Sequence, residues 1–241
     1  MQTISVLIIC LDAEELISKC LCWLSENINP DEYIIVDGGS EDNTIKVINK
    51  FTKDNQVNLK LFKNTMPDSF SKQRNLALSK CTSDWILHID VDETYSKNII
   101  KLISDIRAGK HNGTTGFVFP TAHLIIDGSH MIDGGGDIHL RLFKNLSNIK
   151  YVGEVHEKIY FDNLSAMDNL SKFNIKSIGN VALRHYSMLS SDEALLKKGK
   201  RWMRWLKRSR KTGIPLTDEN HFINAVKRYK EKPLEVPKEW E

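Results

Sequence analysis

The feature that most constrains this chain is a repeated alternation of buried strand and amphipathic helix along its first hundred residues. Ile4 to Ile9 is a continuous apolar run rich in β-branched residues. Glu14 to Glu26 follows with Leu16, Ile17, Leu21 and Leu24 at the spacing of one helix face. Tyr33 to Val36 repeats the strand pattern and breaks at Asp37-Gly38-Gly39-Ser40, after which Asp42 or Asn43 caps a helix with the stripe Ile45, Val47, Ile48 and Phe51. Val57 to Phe62 reads as a third strand, Ser71 to Ser79 as a helix, and Trp85 to Ile89 as a fourth strand ending in Asp90-Val91-Asp92-Glu93. Strands that alternate with helices need right-handed crossovers, so the pattern predicts an α/β fold with a mostly parallel sheet covered on both faces. Such sheets bind ligands at the carboxyl ends of their strands. Asp37, Asp90 and Asp92 all fall at such ends, and the fold should gather them on one rim.

Composition removes several other classes. Of the 241 residues, 41% are apolar and 27% charged, which fits a folded chain that can bury a sizeable core and fits neither a disordered nor a membrane-spanning one. The 34 basic and 31 acidic residues leave a net charge of +3, too little to imply a nucleic-acid partner. The apolar run from Val6 to Leu11 is far short of the roughly 20 residues of a membrane helix, and no basic-then-apolar leader precedes it. A cytoplasmic location is the expectation. Cys10, Cys20, Cys22 and Cys81 form no C-x-x-C pair and read as reduced thiols.

Past residue 110 the pattern changes. Gly116 to Phe119 and Ile138 to Phe143 look like strands, separated by Gly134-Gly135-Gly136 and lacking a clear crossover helix, so a mixed sheet is expected there. From Ser190 the chain turns helical and basic, with nine Lys/Arg and no acid between Lys197 and Lys211. Leu195, Trp202, Met203 and Leu206 share one face. That 195–211 helix either packs on its own protein or lies peripherally on an anionic membrane. The chain therefore divides into residues 1–110, 111–189 and 190–241.

Two carboxylates on alternate residues at a strand end, as in Asp90-Val91-Asp92, can grip a hard divalent ion and leave positions open for phosphate oxygens. An acidic helix-capping turn is the plainer reading of the triplet alone. Its context is more specific. The stretch from Ser71-Lys72-Gln73-Arg74-Asn75 to Asp84-Trp85-Ile86-Leu87-His88-Ile89-Asp90-Val91-Asp92-Glu93 resembles the central signature of family 2 glycosyltransferases, and Val36-Asp37-Gly38-Gly39-Ser40 resembles their second-strand signature. The resemblance runs over about residues 4 to 157. After the first strand, Leu11-Asp12-Ala13-Glu14 departs from it, with Asp12 and Ala13 where the family usually has Asn-Glu.

This resemblance implies a GT-A fold with a Rossmann-like sheet and a C-terminal helical extension, a UDP-sugar donor, and Mn²⁺ or Mg²⁺ held by the D-x-D. A cation is needed because a nucleoside diphosphate leaves poorly until the charge growing on its phosphates is neutralised. By the same resemblance Asp37 and Leu11 would contact the nucleotide, with Lys72 or Arg74 near the uracil or pyrophosphate. Asp92 would be the main metal ligand, and Asp90 would bind the ribose or the metal through water. Glucose or galactose is the expected sugar, and a glycan or lipid-linked hydroxyl the expected acceptor.

His139-Leu140-Arg141-Leu142-Phe143 followed by Tyr151-Val152-Gly153-Glu154-Val155-His156-Glu157 resembles a subgroup of the same family. An inverting transferase needs a carboxylate to take the proton of the attacking hydroxyl, and Glu157 or Glu154 could supply it. These two are three residues apart, so on an extended strand they would face opposite ways and only one would enter the cleft. If neither serves, Asp133 or Asp137 beside the glycines is next. His156 is a candidate metal ligand, Arg141 would fix a phosphate or the acceptor, and His185 would return to the diphosphate. Two alternatives remain open: a retaining transferase or sugar nucleotidyltransferase on a similar sheet, and a non-catalytic carbohydrate- or nucleic-acid-binding protein.

Overall fold

The computed structural model describes residues 1–65, 69–125, 130–131, 138–153, 157–186, 196, 199–200 and 234–240. The first four strands are β1 (Ile4–Cys10), β2 (Glu32–Asp37), β3 (Leu59–Lys63) and β4 (Trp85–His88), and they pair in parallel in the order β4-β1-β2-β3. Helices α1 (Glu14–Asn27), α2 (Thr44–Asn55) and α3 (Phe70–Leu78) form the crossovers. These elements match the sequence reading to within two residues at most ends.

Beyond β4 come β5 (Glu93–Tyr95), α4 (Asn98–Arg107), β6 (Gly116–Ile125), β7 (His130–Met131), β8 (Ile138–Lys144), β9 (Ile149–Val152), β10 (Lys158–Phe161), β11 (Leu164–Ser165), β12 (Ile175–Ser177), β13 (Leu183–His185) and β14 (Leu234–Glu235). Strand β8 runs antiparallel to both β4 and β6, which makes the sheet mixed as expected. Strands β9, β10 and β11 form a separate three-stranded sheet. The short β13 lies parallel to β6 and antiparallel to β5.

Burial alternates along the sheet as the period of two requires. One core gathers Ile4, Val6 and Ile8 with the inner faces of α1, α2 and α4. The other gathers Leu7, Ile34, Val36 and Ile86 with Ala77 of α3 and with Tyr151, Ile159 and Phe161 of the small sheet. Helices thus cover both faces, and the small sheet sits beside α3.

The rim loops are stitched to each other. Ala13 N–H donates to Thr44 Oγ1 at 2.7 Å and Glu14 N–H to Asp42 Oδ2 at 3.1 Å, so the α2 entry loop satisfies the first amides of α1. Asp42 Oδ1 also accepts from Thr44 N–H at 2.9 Å, whereas Asn43, the boundary residue of α2, makes no side-chain cap bond. Among the described residues no helix is long and apolar enough to cross a membrane. The basic 195–211 segment lies outside the described residues except for 196, 199 and 200, which are helical.

Candidate active site at the carboxyl ends of β2 and β4

Asp37 ends β2 and is buried, at 1% exposure. Its carboxylate accepts from Gly39 N–H at 2.9 Å and from Ser40 N–H at 3.0 Å, while Gly39 takes φ +97°, a left-handed conformation that glycine adopts without strain. The carboxylate therefore builds the turn that forms the rim. Leu11, half-buried, follows β1 directly. Asp12 next to it has φ 46° and bonds across to the same loop, its N–H to Ser40 Oγ at 2.9 Å and its Oδ1 to Glu41 N–H at 2.9 Å. With β1 lying between β2 and β4, two strand spacings put Asp37 about 10 Å from the Asp90 corner.

At that corner the two carboxylates of the D-x-D have different company. Asp90 accepts from Arg74 Nη2 at 2.7 Å, lies 3.4 Å from Arg141 Nη1, and is 3.3 Å from His88 Nε2. Burial opposes its ionisation, yet the two guanidiniums outweigh that and hold its carboxyl well below the usual range. Asp92 instead faces His185, Oδ2 to Nε2 at 3.3 Å, with both side chains under one-fifth exposed. The β5–β13–β6 pairing creates this meeting, because its register sets His185 against Glu93 on one side and His123 on the other.

Arg74 is buried and multiply bonded. Its Nε donates to His88 Nε2 at 2.9 Å, its Nη2 to Asp90, and its Nη1 to Glu157. Arg141, 8% exposed, donates to Glu93 Oε1 at 2.8 Å, and its Nη1 lies 2.8 Å from His88 Nε2 and 3.1 Å from His88 Nδ1. His88 is thus enclosed by two cations and by Tyr151, whose hydroxyl is 3.1 Å from Nδ1. Burial, then Arg141 and Arg74, push its pKa down to about 3, so the imidazole is neutral. Because Nε2 accepts from Arg74 Nε and the Tyr151 hydroxyl faces Nδ1, the proton belongs on Nδ1. Glu93 receives Asp90 N–H at 2.9 Å as well as Arg141; burial, helped by Asp90 and Asp92, nonetheless pushes its carboxyl up to about 7.

The structure brings Arg74, Asp90, Arg141 and Glu157 together, and beside them Asp92 and His185. Lys72 stands apart, exposed on α3. The picture of one unbroken extended strand through this segment is corrected: β9 and β10 are an antiparallel hairpin, with Lys158 paired to Val152, so the chain reverses between those two residues. A left-handed Gly153, φ +110°, starts that reversal. Glu154 and His156 lie outside the described residues, as do Asp133 and Asp137.

Several contributors to this corner were not singled out as site residues by the sequence reading. His88 was legible, since it stands two residues before Asp90 and must share its side of the strand. Asn75 was quoted only as part of a motif, and it clips β9 in place: Nδ2 donates to Tyr151 O at 2.9 Å and Oδ1 accepts from Tyr151 N–H at 2.8 Å. Neighbouring residues of α3 therefore hold the hairpin backbone (Asn75) and its glutamate (Arg74). Glu93 and Tyr151 likewise stood only within quoted motifs, and His123 carried no local signal. Among the described residues no group of three or more His, Cys, Asp or Glu is arranged to hold a metal ion. The Asp92–His185 pair still has the donor chemistry for one: cis ligands at about 2.1 Å from a small divalent ion stand about 3.0 Å apart, close to the 3.3 Å observed.

A parallel half-sheet with helical crossovers, a carboxylate rim at its strand ends and a mixed second half together define the GT-A fold. Two solved structures share it: Staphylococcus aureus TarS 1–349, at TM-score 0.54 and 17% identity over 82% of this chain and 64% of that one, and the mannosyltransferase PcManGT from Pyrobaculum calidifontis in complex with GDP-Man and Mn²⁺, at TM-score 0.58 and 14% identity over 93% and 70%. The model of glycosyl transferase family 2 matches residues 5–123, just under half of the chain. The SPbeta prophage-derived glycosyltransferase SunS of Bacillus subtilis (strain 168) is 27% identical over 93% of this chain and 57% of its own length. The lipopolysaccharide core biosynthesis glycosyltransferase LpsC of Rhizobium meliloti (strain 1021) is 25% identical over 82% of this chain and 68% of its own. The chain thus spans little more than half the length of SunS.

Proposed function

We propose that the chain is a metal-dependent, inverting glycosyltransferase that moves a sugar from a uridine diphosphate donor to an acceptor hydroxyl. The observation that carries this reading is the assembly of Asp92 with His185 next to Glu157 on Arg74, at the carboxyl ends of the parallel strands. Asp92 and His185 would hold Mn²⁺ or Mg²⁺, which when bound supplies neutralising charge for the departing diphosphate. The Asp37 turn and the Leu11 backbone shape the nucleotide end of the rim. Residues 1–110 serve the donor and 111–189 the acceptor.

Glu157 is the proposed base. It takes the proton of the acceptor hydroxyl as that oxygen attacks the anomeric carbon and the bond to the diphosphate breaks on the far side, which inverts the centre. Arg74 anchors it through an ion pair, and Asn75 fixes the hairpin behind it. Arg141 and His88, buried behind Asp90, orient this corner from within the protein. The complexes of TarS with UDP and with UDP-GlcNAc support a uridine nucleotide, the GDP-Man complex of PcManGT supports a guanosine one, and the family resemblance favours the first. The name of LpsC supports a saccharide acceptor.

A hydrolysis screen across nucleotide sugars, with and without Mn²⁺, tests donor and metal together. The expected result is turnover of one UDP-sugar in Mn²⁺ alone, with NMR of the first-formed sugar showing the inverted anomer. Consumption of no donor, or a retained anomer, overturns the reading.

A further inference from the structure

His123 and His185 face each other across β6 and β13, paired in register, with their Nδ1 atoms 2.8 Å apart and their ring planes at 76°. Two imidazole nitrogens at that distance share one proton. Two bare lone pairs would repel, and two N–H groups would clash, so one ring donates and the other accepts. The other nitrogen of His185, Nε2, is the one 3.3 Å from Asp92 Oδ2. The tautomer of His185 therefore couples Asp92 to His123. When Nε2 carries the proton it can donate to Asp92, and Nδ1 must accept from His123. When a cation stands between Asp92 and His185, Nε2 must offer its lone pair, the proton moves to Nδ1, and His123 must accept it.

We infer that His123 is a positioning residue for the cation site, which holds the His185 ring in place and accepts its Nδ1 proton in the tautomer that can ligate a divalent ion. The inference rests on the metal reading above and deepens it. A histidine ligand commonly donates its second ring N–H to a carboxylate, carbonyl or water, and loss of that partner typically weakens metal binding by a factor of 10–100. Here the partner is a second imidazole, which can either donate or accept. His185 can therefore keep its Nδ1 hydrogen bond in both tautomers, so a cation can arrive and leave without breaking the pair.

The test compares Mn²⁺ affinity of the wild-type chain, His123→Phe and His123→Asn, read by electron paramagnetic resonance in the presence of whichever of UDP or GDP the wild type binds. Circular dichroism confirms that each variant is folded. His123→Phe should bind Mn²⁺ on the order of 10–100-fold more weakly, with nucleotide affinity in EDTA unchanged. His123→Asn, whose side-chain amide can also accept or donate, should recover most of the loss. In wild-type protein, addition of Mg²⁺ should move the ¹⁵N shifts of the His185 ring to the pattern with the proton on Nδ1. Wild-type Mn²⁺ affinity in His123→Phe, or a weakened His123→Asn with no recovery, overturns the role of His123 while leaving the metal site standing. A wild-type chain that binds no Mn²⁺ with either nucleotide overturns the metal reading and this inference together.

Discussion

Glu32 offers a clean separation of stability from chemistry, because it lies at the end of the sheet opposite the rim. It begins β2 with its side chain 2% exposed. Its carboxylate accepts from Ser5 Oγ on β1, from Thr82 and Ser83 N–H in the loop before β4, from Thr82 Oγ1 at 3.0 Å, and from Lys60 Nζ on β3 at 3.0 Å. Burial opposes the charge, but these donors outweigh it and lower the pKa from 4.5 to about 2. Taken at face value the difference is worth about 3 kcal/mol at neutral pH. Lys60 is 43% exposed and its share is screened, so about 2 kcal/mol is the better figure. A carboxyl whose folded pKa is depressed stabilises the fold fully above its unfolded value and loses that contribution as pH falls through the folded one. The window is therefore pH 4.5 down to about 2. Glu32→Gln should lose about 2 kcal/mol at pH 7 in urea unfolding, with a melting temperature about 4–8 °C lower. The gap to wild type should close across that window, and nucleotide binding should be unchanged. A gap under about 0.5 kcal/mol at pH 7, or one that stays constant down to pH 2.5, refutes the reasoning.

Three further outcomes are expected. UDP should bind much more tightly with Mn²⁺ or Mg²⁺ than in EDTA, because the Asp92 carboxylate repels a diphosphate until a cation intervenes; equal affinities by calorimetry would remove the metal from the reading. Glu157→Gln should lower kcat by on the order of 10²–10⁴ with donor binding little changed, and a near wild-type kcat would exclude it as the base. Gly116→Ala should cost about 1–3 kcal/mol in chemical unfolding, since its Cβ would stand 2.8 Å from Leu140 Cδ1 and 3.2 Å from Leu142 O; wild-type stability would mean that β8 yields without strain.

What could be read in the sequence was what neighbouring residues decide. Strands β1, β2 and β4 are short apolar runs with acidic or glycine-rich ends, and those ends name the rim. Helix α4 was equally legible, with Ile99, Leu102, Ile103 and Ile106 all buried at the spacing of one helix face, but the reading passed over it. The site beyond the rim depends on distant pairings instead. His185 meets Asp92 only because three-residue β13 finds both β5 and β6, and nothing in Leu183-Arg184-His185 specifies those partners. Glu157 meets Arg74 because a hairpin turns at Gly153, where an unbroken strand was assumed. Arg74 itself was expected near the nucleotide. Its burial between His88, Asp90 and Glu157 follows from how α3 packs, and helix periodicity does not encode that.

The D-x-D motif is usually written as a pair of equivalent carboxylates, and the surroundings of Asp90 and Asp92 argue against equivalence here. Asp90 neutralises two guanidiniums that are each under a tenth exposed, and if it were removed Glu93 and Glu157 would be the carboxylates left to balance them among the described residues. Breaking such a buried pair typically costs about 3–5 kcal/mol, and because Asp90 itself is 25% exposed the lower end applies. Asp92 faces His185 at 3.3 Å rather than a buried guanidinium, and loss of a contact of that kind typically costs under about 1 kcal/mol. The two asparagine variants should therefore fail differently. Asp90→Asn should lose about 3 kcal/mol in urea unfolding, whether or not a cation is added. Asp92→Asn should keep near wild-type stability and lose the Mn²⁺-dependent gain in UDP affinity. If both variants are equally stable and both lose only the metal response, Asp90 is a direct ligand of the cation and the arginine cage around it gives way when the donor binds.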